Sequence, residues 1–247
     1  MRRARHIRFV IAMTGCLVAL ASTAVAFEGR IHAVMIRGNQ TDALLYTVGT
    51  NCLRVENTAT NWPNPVDILD RNSGALTLLF PNNRSFVRVP SAPEETTAPG
   101  APAMPAMPNM SASAGGGMPV MPMPPMEKLE LKATGETTNL LGYTCARYEI
   151  KQRGQTMEIW ATDQLFPFQP YVQNQPRRFG PRMIEEQWAE LAKAQKLFPL
   201  LATLKLNQGP ERFRYEVKSI TPQKLTDEDA PLFQPPPDYL EIHPLPF

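Results

Sequence analysis

The sequence predicts a mainly β protein with one substantial helix, in which an antiparallel sheet buries a single face. Many short segments alternate between apolar and polar residues, and residues with turn chemistry separate these segments. One stretch, residues 182–198, instead repeats its apolar residues at helical spacing. The apolar face of such a sheet must be covered, either by the helix or by the sheet curling on itself.

In the first part of the chain, residues 27–90, the alternation predicts short strands joined by turns. Leu53 and Val55 are expected on one face of their strand and Cys52 on the other. Residues 70–74 have the composition of a turn, and turn residues at 81–84 indicate that the last two strands pair as a hairpin. The predicted strands span residues 31–36, 44–48, 52–56, 75–80 and 85–89.

The second part, residues 127–247, continues the pattern. In one strand Ala146 shares a face with Tyr148 and Ile150, while Cys145 lies on the opposite face. The proline-rich tail 232–240 is expected to run extended along the surface or an edge, because proline cannot donate to a central strand. The predicted strands span residues 127–133, 144–153, 156–162 and 213–220.

The predicted helix and its neighbouring strands supply large apolar side chains. These side chains either line an apolar cavity or fill an ordinary core. Three arginines before the helix face either a lipid head group, an acidic partner or solvent, whereas Glu185, Glu186 and residues 227–229 are expected as surface charge. The large apolar side chains are Tyr148, Ile150, Trp160, Trp188 and Phe198, and the arginines are Arg177, Arg178 and Arg182.

Residues 91–126 differ from the rest of the chain in composition. They contain nine prolines, seven methionines and four glycines, with no aromatic residue and no Lys or Arg. Proline removes backbone donors and glycine adds chain entropy, so this composition cannot form a packed core. The segment is therefore predicted to be a disordered linker inserted into one β-rich domain.

Residues 1–26 have the three parts of a secretory signal peptide. Arginines at the start precede an apolar stretch and then small residues, and Ala24 and Ala26 form a small-x-small cleavage site before Phe27. The alternative is lipidation at Cys16, which ends a lipobox-like tetrapeptide. We expect export to the periplasm or cell exterior, as a soluble chain without a membrane-spanning segment after cleavage.

Removal of the signal peptide changes the charge balance. Without its four arginines, 21 basic residues face 23 acidic ones, a net charge of −2, so no basic surface for nucleic acid is expected. His32 and His243 are the remaining histidines, which removes most Ser-His-Asp, Cys-His and zinc-site schemes. No catalytic residues are predicted, and the protein is expected not to be an enzyme.

The methionines of the linker form a candidate soft-metal site. Thioether sulfur suits Cu(I) or Ag(I), and it remains a ligand in an oxidising compartment where thiolates are lost. The alternative is that methionine is only a filler of a low-complexity linker. The candidate ligands are Met104, Met107, Met110, Met118, Met121, Met123 and Met126.

Cys52 and Cys145 form a candidate disulfide, because export favours oxidation. Both are expected on the polar face of their strands, which satisfies the parity that a bridge requires. A simple meander would however place the two strands several positions apart, too far for a bridge. Two separate thiols are the alternative.

Five motifs together resemble a known family of exported bacterial proteins, the domain-of-unknown-function family 4412. The motifs are FEGRI at 27–31, TLLFPNNRSF at 77–86, GETTNLLGYTCARYEI at 135–150, EIWATDQL at 158–165 and LFQPPPDY at 232–239. That family is similar to the periplasmic lipoprotein carrier and receptor fold, which implies an incomplete β-barrel around a helix with an apolar cavity for acyl chains. The resemblance transfers no catalytic residues.

Three functions are compatible with these observations. A non-catalytic envelope protein would bind an apolar ligand or a lipidated partner in the half-barrel, a hypothesis that depends on fold analogy. Soft-metal handling by the methionines is the second, and an envelope scaffold whose linker reaches a partner is the third. The sequence does not indicate which residues would contact an apolar ligand.

Overall fold

The computed structural model describes residues 27–58, 64–89, 129–152, 154–171, 184–206 and 209–243. The predicted signal peptide with its cleavage site and Cys16, and the predicted linker with all seven candidate methionine ligands, lie outside the described residues. The arginine cluster 177–182 also lies outside them, and the side chains of Glu185 and Glu186 are not described.

The described residues form one open sheet of twelve strands. Its order is β12-β6-β5-β4-β3-β2-β1-β11-β10-β9-β8-β7, antiparallel except where β12 pairs with β6, and the two edge strands do not close on each other. The prediction of a mainly β fold is confirmed. The strands are β1 Gly29–Arg37, β2 Gln40–Val48, β3 Cys52–Asn57, β4 Val66–Asp70, β5 Leu76–Phe80, β6 Ser85–Val89, β7 Lys132–Leu140, β8 Tyr143–Gln152, β9 Gln155–Thr162, β10 Phe198–Leu206, β11 Glu211–Pro222 and β12 Leu240–Glu241.

The two parts of the chain meet inside this sheet. Strand β1 pairs with β2 on one side and with β11 on the other, over its whole length in both cases. Gly38 makes the β1–β2 turn possible, because its φ of 58° lies in the left-handed region that the first position of a tight hairpin turn requires. Strands from both sides of the linker therefore share one hydrogen-bonded sheet.

Strands β4 and β10, and most of β7, lie in segments where the sequence did not predict a strand. Every residue of β10 from Phe198 to Leu204 is buried or half-buried, so its apolar run shows no alternation. Strand β7 is an edge strand with mostly exposed, polar residues, and a register shift after Ala133 interrupts its pairing with β8. Strand β4 is only five residues long and carries two aspartates, a residue type that is depleted in strands, so the sequence did not indicate it.

The helix α1, Ile184–Ala194, ends four residues before the predicted boundary at Phe198. Lys196 adopts a left-handed conformation with φ 57°, and the amides of Lys196 and Leu197 donate to the carbonyls of Lys193 and Ala192 at 2.9 and 3.0 Å. This is a Schellman motif, which usually carries glycine at the left-handed position. Because lysine at that position does not indicate the end of a helix, the predicted helix was extended along the apolar spacing into β10.

No helix in the described part of the chain has the length and apolarity needed to span a bilayer.

The main core lies between one face of the sheet and two covering elements, α1 and residues 165–171. Phe168 is at the centre of this core: its ring lies 5.4 Å from the rings of Trp188 and Tyr215 and 5.6 Å from that of Phe198. Ile150 is fully buried in the same core. The middle of this face is therefore filled by the protein's own side chains.

A smaller apolar cluster lies beneath the C-terminal tail. Val66, Ile68, Leu79 and Phe86 of β4–β6 are buried, with Phe233 and Tyr239 of the tail packed against them. The tail forms a 3-10 helix at Asp227–Phe233, and β12 then extends the sheet beside β6. The tail thus reaches an edge of the sheet, as its proline content predicted.

Cys52 and Cys145 are free thiols, which contradicts the candidate disulfide between them. Cys52 lies on β3 and Cys145 on β8, and five other strands separate these two in the sheet, far beyond the reach of a bridge. The expectation that both face a polar surface also fails for Cys145, which is completely buried. Burial raises the pKa of both thiols.

Candidate functional site

A pocket of about 360 Å³ opens between the turn after β4 and the segment that covers the sheet. We refer to it as the turn pocket. Its floor is formed by Leu53 and Leu69 and its opposite wall by Phe166 and Pro167, with Gln169 beside them. Thr50 and Lys193 complete the rim, and the turn contributes Asp70, Arg71, Asn72 and Gly74. Its volume lies at the lower end of the range for small-molecule sites.

The apolar walls follow from strand register and aromatic packing. Leu53 of β3 is paired directly with Leu69 of β4, so both side chains project to the same face of the sheet. Phe166 is held opposite them, because its ring packs 4.8 Å from that of Phe198 and 6.4 Å from that of Phe27. The two walls are therefore set by rigid elements and do not depend on a ligand.

The turn after β4 is a compact loop fixed by its own aspartate. Oδ1 of Asp70 accepts hydrogen bonds from the backbone N–H groups of Asn72 and Ser73 at 2.8 and 3.0 Å. These bonds favour the carboxylate and hold the pKa of Asp70 below its ordinary value. Gly74 follows with φ 72°, and its amide donates to the Asp70 carbonyl at 2.8 Å. The turn therefore holds Arg71 in a defined position.

Arg71 is half-buried at the edge of the pocket. Its Nη1 donates to the carbonyls of Gly49 and Thr50 at 3.2 and 3.5 Å, and its Cζ lies 5.4 Å from the centre of the Phe166 ring. Burial lowers the pKa of Arg71, but a guanidinium remains charged at neutral pH. Among the described residues no carboxylate lies within salt-bridge distance of this cation.

Gln169 places a buried polar atom at the pocket. The residue is only 6% exposed, and its Oε1 has no hydrogen-bond partner among the residues that the structure describes. Leaving such an acceptor unpaired costs about 1–3 kcal/mol. A ligand or a water molecule that donated to this oxygen would remove the cost, so Gln169 marks a polar position beside the apolar walls of the pocket.

Two other depressions are weaker candidates for a binding site. One of about 190 Å³ lies between β7, β8 and the residues after β9, and Tyr148 is among its lining residues. The other, of about 370 Å³, is a shallow surface groove between Phe86, Arg88 and the prolines 235–237. Neither contains an unpaired buried polar atom, so the turn pocket is the better candidate.

The residues that the sequence suggested for an apolar cavity do not line the turn pocket. Trp188, Phe198 and Ile150 fill the main core, as the alternative interpretation had it. Trp160 is paired with Arg147 across β8 and β9, and its Nε1 donates to Oε1 of Glu158 at 2.8 Å, so it belongs to a charged face of the sheet. The pocket residues Arg71, Phe166 and Gln169 were not predicted.

The charged face around Arg147 has a structural role. Its Nη1 and Nη2 contact Glu136, Glu149 and Glu158 at 2.8 to 3.1 Å. These carboxylates raise the pKa of Arg147, and the neighbouring Lys151 and Arg147 lower the pKa of Glu149. Within the described residues no group of three or more His, Cys, Asp or Glu side chains is arranged to hold a metal ion.

The solved structures to which this chain is similar include three with low sequence identity. PNGF-II in its C2 crystal form is 15% identical with a TM-score of 0.44, and the match covers 88% of this chain and 31% of PNGF-II, so this chain spans about a third of that protein. An uncharacterized conserved protein from Thermus thermophilus is 10% identical with a TM-score of 0.43, covering 87% of this chain and 90% of that one. MucB is 8% identical with a TM-score of 0.38, covering 86% and 58%.

Comparison of the sequence with proteins of curated function finds no match. A family model does match the second part of the chain. Residues 123–239 match the model of the domain-of-unknown-function family DUF4412, so the resemblance that the sequence motifs indicated is confirmed over this part of the chain.

Proposed function

We propose that this chain is an exported, non-catalytic envelope protein that binds an apolar ligand, or the acyl chain of a lipidated partner, in the turn pocket. The observation that carries the proposal is a cleft with fixed apolar walls, formed by Leu53, Leu69 and Phe166, and a buried polar atom of Gln169 that lacks a partner among the described residues. Ligand sites typically combine such apolar walls with a few placed polar groups.

The proposal moves the binding site from the middle of the sheet to one end of it. The centre of the covered face holds Phe168 within van der Waals range of several aromatic rings, which leaves no room for an acyl chain there. The turn pocket lies next to this aromatic cluster, where the covering segment continues from Phe166 to Gln169. A ligand would therefore enter without displacing the core.

The test is a titration of the purified protein with dodecanol, followed by calorimetry. The variant Leu69→Trp adds bulk to the pocket wall and is expected to weaken binding about tenfold or more. Leu206→Trp is the matched control, because Leu206 is 37% exposed at the end of β10 and does not line the pocket. Equal binding by the wild type and Leu69→Trp, with both folded, would contradict the proposal.

Soft-metal binding by the linker methionines is a second candidate function. Its support is the recurrence of methionine at three-residue spacing, at positions 104, 107 and 110, in a segment without competing Cys or His. Titration with Cu(I) of the intact chain and of a variant lacking residues 100–126 tests it. The proposal expects a marked loss of affinity in the deletion variant, and equal affinities would remove it.

A further inference from the structure

We infer that the turn pocket selects an anionic amphiphile, with an acyl chain against the apolar walls and a carboxylate or phosphate at Arg71 and Lys193. This inference rests on the proposed function, because it names the class of ligand for the same pocket. Its support is the charge around the opening and the hydrogen-bonding capacity that the protein leaves unused.

Arg71 has donors that the protein does not use. A guanidinium group carries five N–H groups. Within the described residues only Nη1 of Arg71 donates hydrogen bonds, to the carbonyls of Gly49 and Thr50. Nε and Nη2 have no acceptor among the described residues. The stacking of the guanidinium on Phe166 at 5.4 Å keeps the group at the pocket wall, oriented by the turn. A pre-oriented guanidinium with free N–H groups is suited to bind a carboxylate or a phosphate.

The balance of charge at the opening is positive. Lys193, in the last turn of α1, is exposed on the rim, and no carboxylate in the described part of the chain forms an ion pair with it. Asp70 also lines the pocket, but its Oδ1 is engaged by two backbone amides of its own turn. The opening therefore carries two cations that have no acidic partner among the described residues. Its one carboxylate already accepts hydrogen bonds from its own turn.

Gln169 adds a polar side chain to the pocket lining. Its amide oxygen is buried without a partner among the described residues, and rotation of the side chain would present either this oxygen to a hydroxyl group or the NH₂ group to an anion. In the proposed arrangement the head group lies at Arg71 and the chain lies along Leu53 and Leu69. The pocket therefore combines polar groups with apolar walls, as an amphiphile requires.

The experiment compares probes that share a C12 chain and differ only in the head group. Dodecanoate, dodecyl phosphate and dodecanol are titrated into the full-length protein at low ionic strength by calorimetry. The two anions are expected to bind at least about tenfold more tightly than dodecanol, since hydrogen bonds to charged groups are the stronger ones. Carboxylate preference would indicate a free fatty acid as the source, and phosphate preference a lipid head group.

Single substitutions test which residues cause the preference for the anionic probes. Arg71→Gln and Lys193→Gln are each expected to weaken dodecanoate binding about tenfold, and to weaken it by a larger factor than they weaken dodecanol binding. Arg71→Lys keeps the charge and is expected to retain part of the preference, which covers the case in which Arg71→Gln does not fold. Arg84→Gln is the control, because Arg84 is an exposed arginine that pairs with Asp238 outside the pocket.

The outcomes distinguish the ligand class from the existence of the site. Equal affinities of the three probes, with Leu69→Trp still weakening all of them, would overturn the anionic class and leave the pocket as an apolar site. An anion preference that persists in the Arg71→Gln, Lys193→Gln double variant would likewise overturn the inference. Absence of binding by every C12 probe would contradict the proposed function itself.

Discussion

The two faces of the sheet are covered in different ways. On the inner face, α1 and residues 165–171 bury an aromatic cluster centred on Phe168, which is 2% exposed. On the outer face of β4–β6, the C-terminal tail covers four apolar residues, and its 3-10 helix contains no buried residue. The inner cover is a core, whereas the outer cover, residues 227–241, is a clasp.

Besides its apolar contacts, the clasp is held by polar contacts that are partly exposed. Arg54 donates to the Leu232 carbonyl at 2.9 Å, and Arg88 pairs with Glu241 at 3.1 Å. Exposed ion pairs contribute roughly 0–1 kcal/mol each. The inner face is therefore expected to carry most of the stability, and substitutions of equal size on the two faces should have unequal effects.

The largest effect is expected from removing the aromatic ring at the centre of the inner core. Phe168→Ala should lower the free energy of unfolding by about 3–5 kcal/mol, because it leaves a cavity among closely packed rings. Phe233→Ala in the clasp is the matched substitution and should cost about 1–2 kcal/mol, since Phe233 is only half-buried. Chemical denaturation of both variants measures the difference, and equal costs would contradict the contrast between core and clasp.

The pH dependence of stability should separate the two faces as well. Tyr46 and Tyr215 in the inner core have pKa values raised by burial, so they stay neutral in the folded protein when unfolded tyrosines ionise. Above pH of about 10, each such group should lower stability by about 1.4 kcal/mol per pH unit.

Outer-face carboxylates should act at the other end of the pH range. The pKa of Glu149 is lowered chiefly by its hydrogen bond to Lys151, and that of Glu216 chiefly by its hydrogen bond to Lys218. Their contribution is present above the ordinary pKa of glutamate and is lost as the pH falls through the lowered value. Denaturation across the acid and alkaline ranges measures both limbs. A Tyr46→Phe variant that left the alkaline limb unchanged would argue against the inner assignment.

A small gain is expected at the end of the helix that covers the inner face. Lys196→Gly should raise the free energy of unfolding by about 1 kcal/mol, because glycine adopts the left-handed conformation at φ 57° without strain. Glu190→Gly, inside the same helix and exposed, is the control and should cost about 1 kcal/mol. Thermal unfolding compares them, and a loss of stability in Lys196→Gly would contradict the assigned motif.

The same contrast explains what could be predicted from the sequence. Strands with one buried face, such as β1 and β3, alternate visibly and were predicted near their observed bounds. Strand β10 is buried almost throughout, and β7 is exposed almost throughout, so neither alternates. The helix was predicted to end too late, because Lys196 occupies the left-handed position where a glycine would have indicated the end of the helix.

The candidate site was predicted only in part. The turn at residues 70–74 was evident from its composition, but nothing in its sequence indicated that Arg71 would lie over Phe166. That contact joins segments far apart in the chain, and it depends on how residues 165–171 fold back over the sheet. Gln169, between Phe168 and Pro170, carries no local pattern that distinguishes it from a loop glutamine.

Within the described residues the middle of the inner face is filled by aromatic side chains, and we propose that a ligand binds at the turn pocket beside them. A crystal structure of the protein with dodecanoate tests it most directly. We expect the chain of the ligand between Leu69 and Phe166, its carboxylate at Arg71, and Phe168 unmoved among its aromatic neighbours. A ligand lying in the centre of the sheet, with Phe168 displaced, would contradict the account.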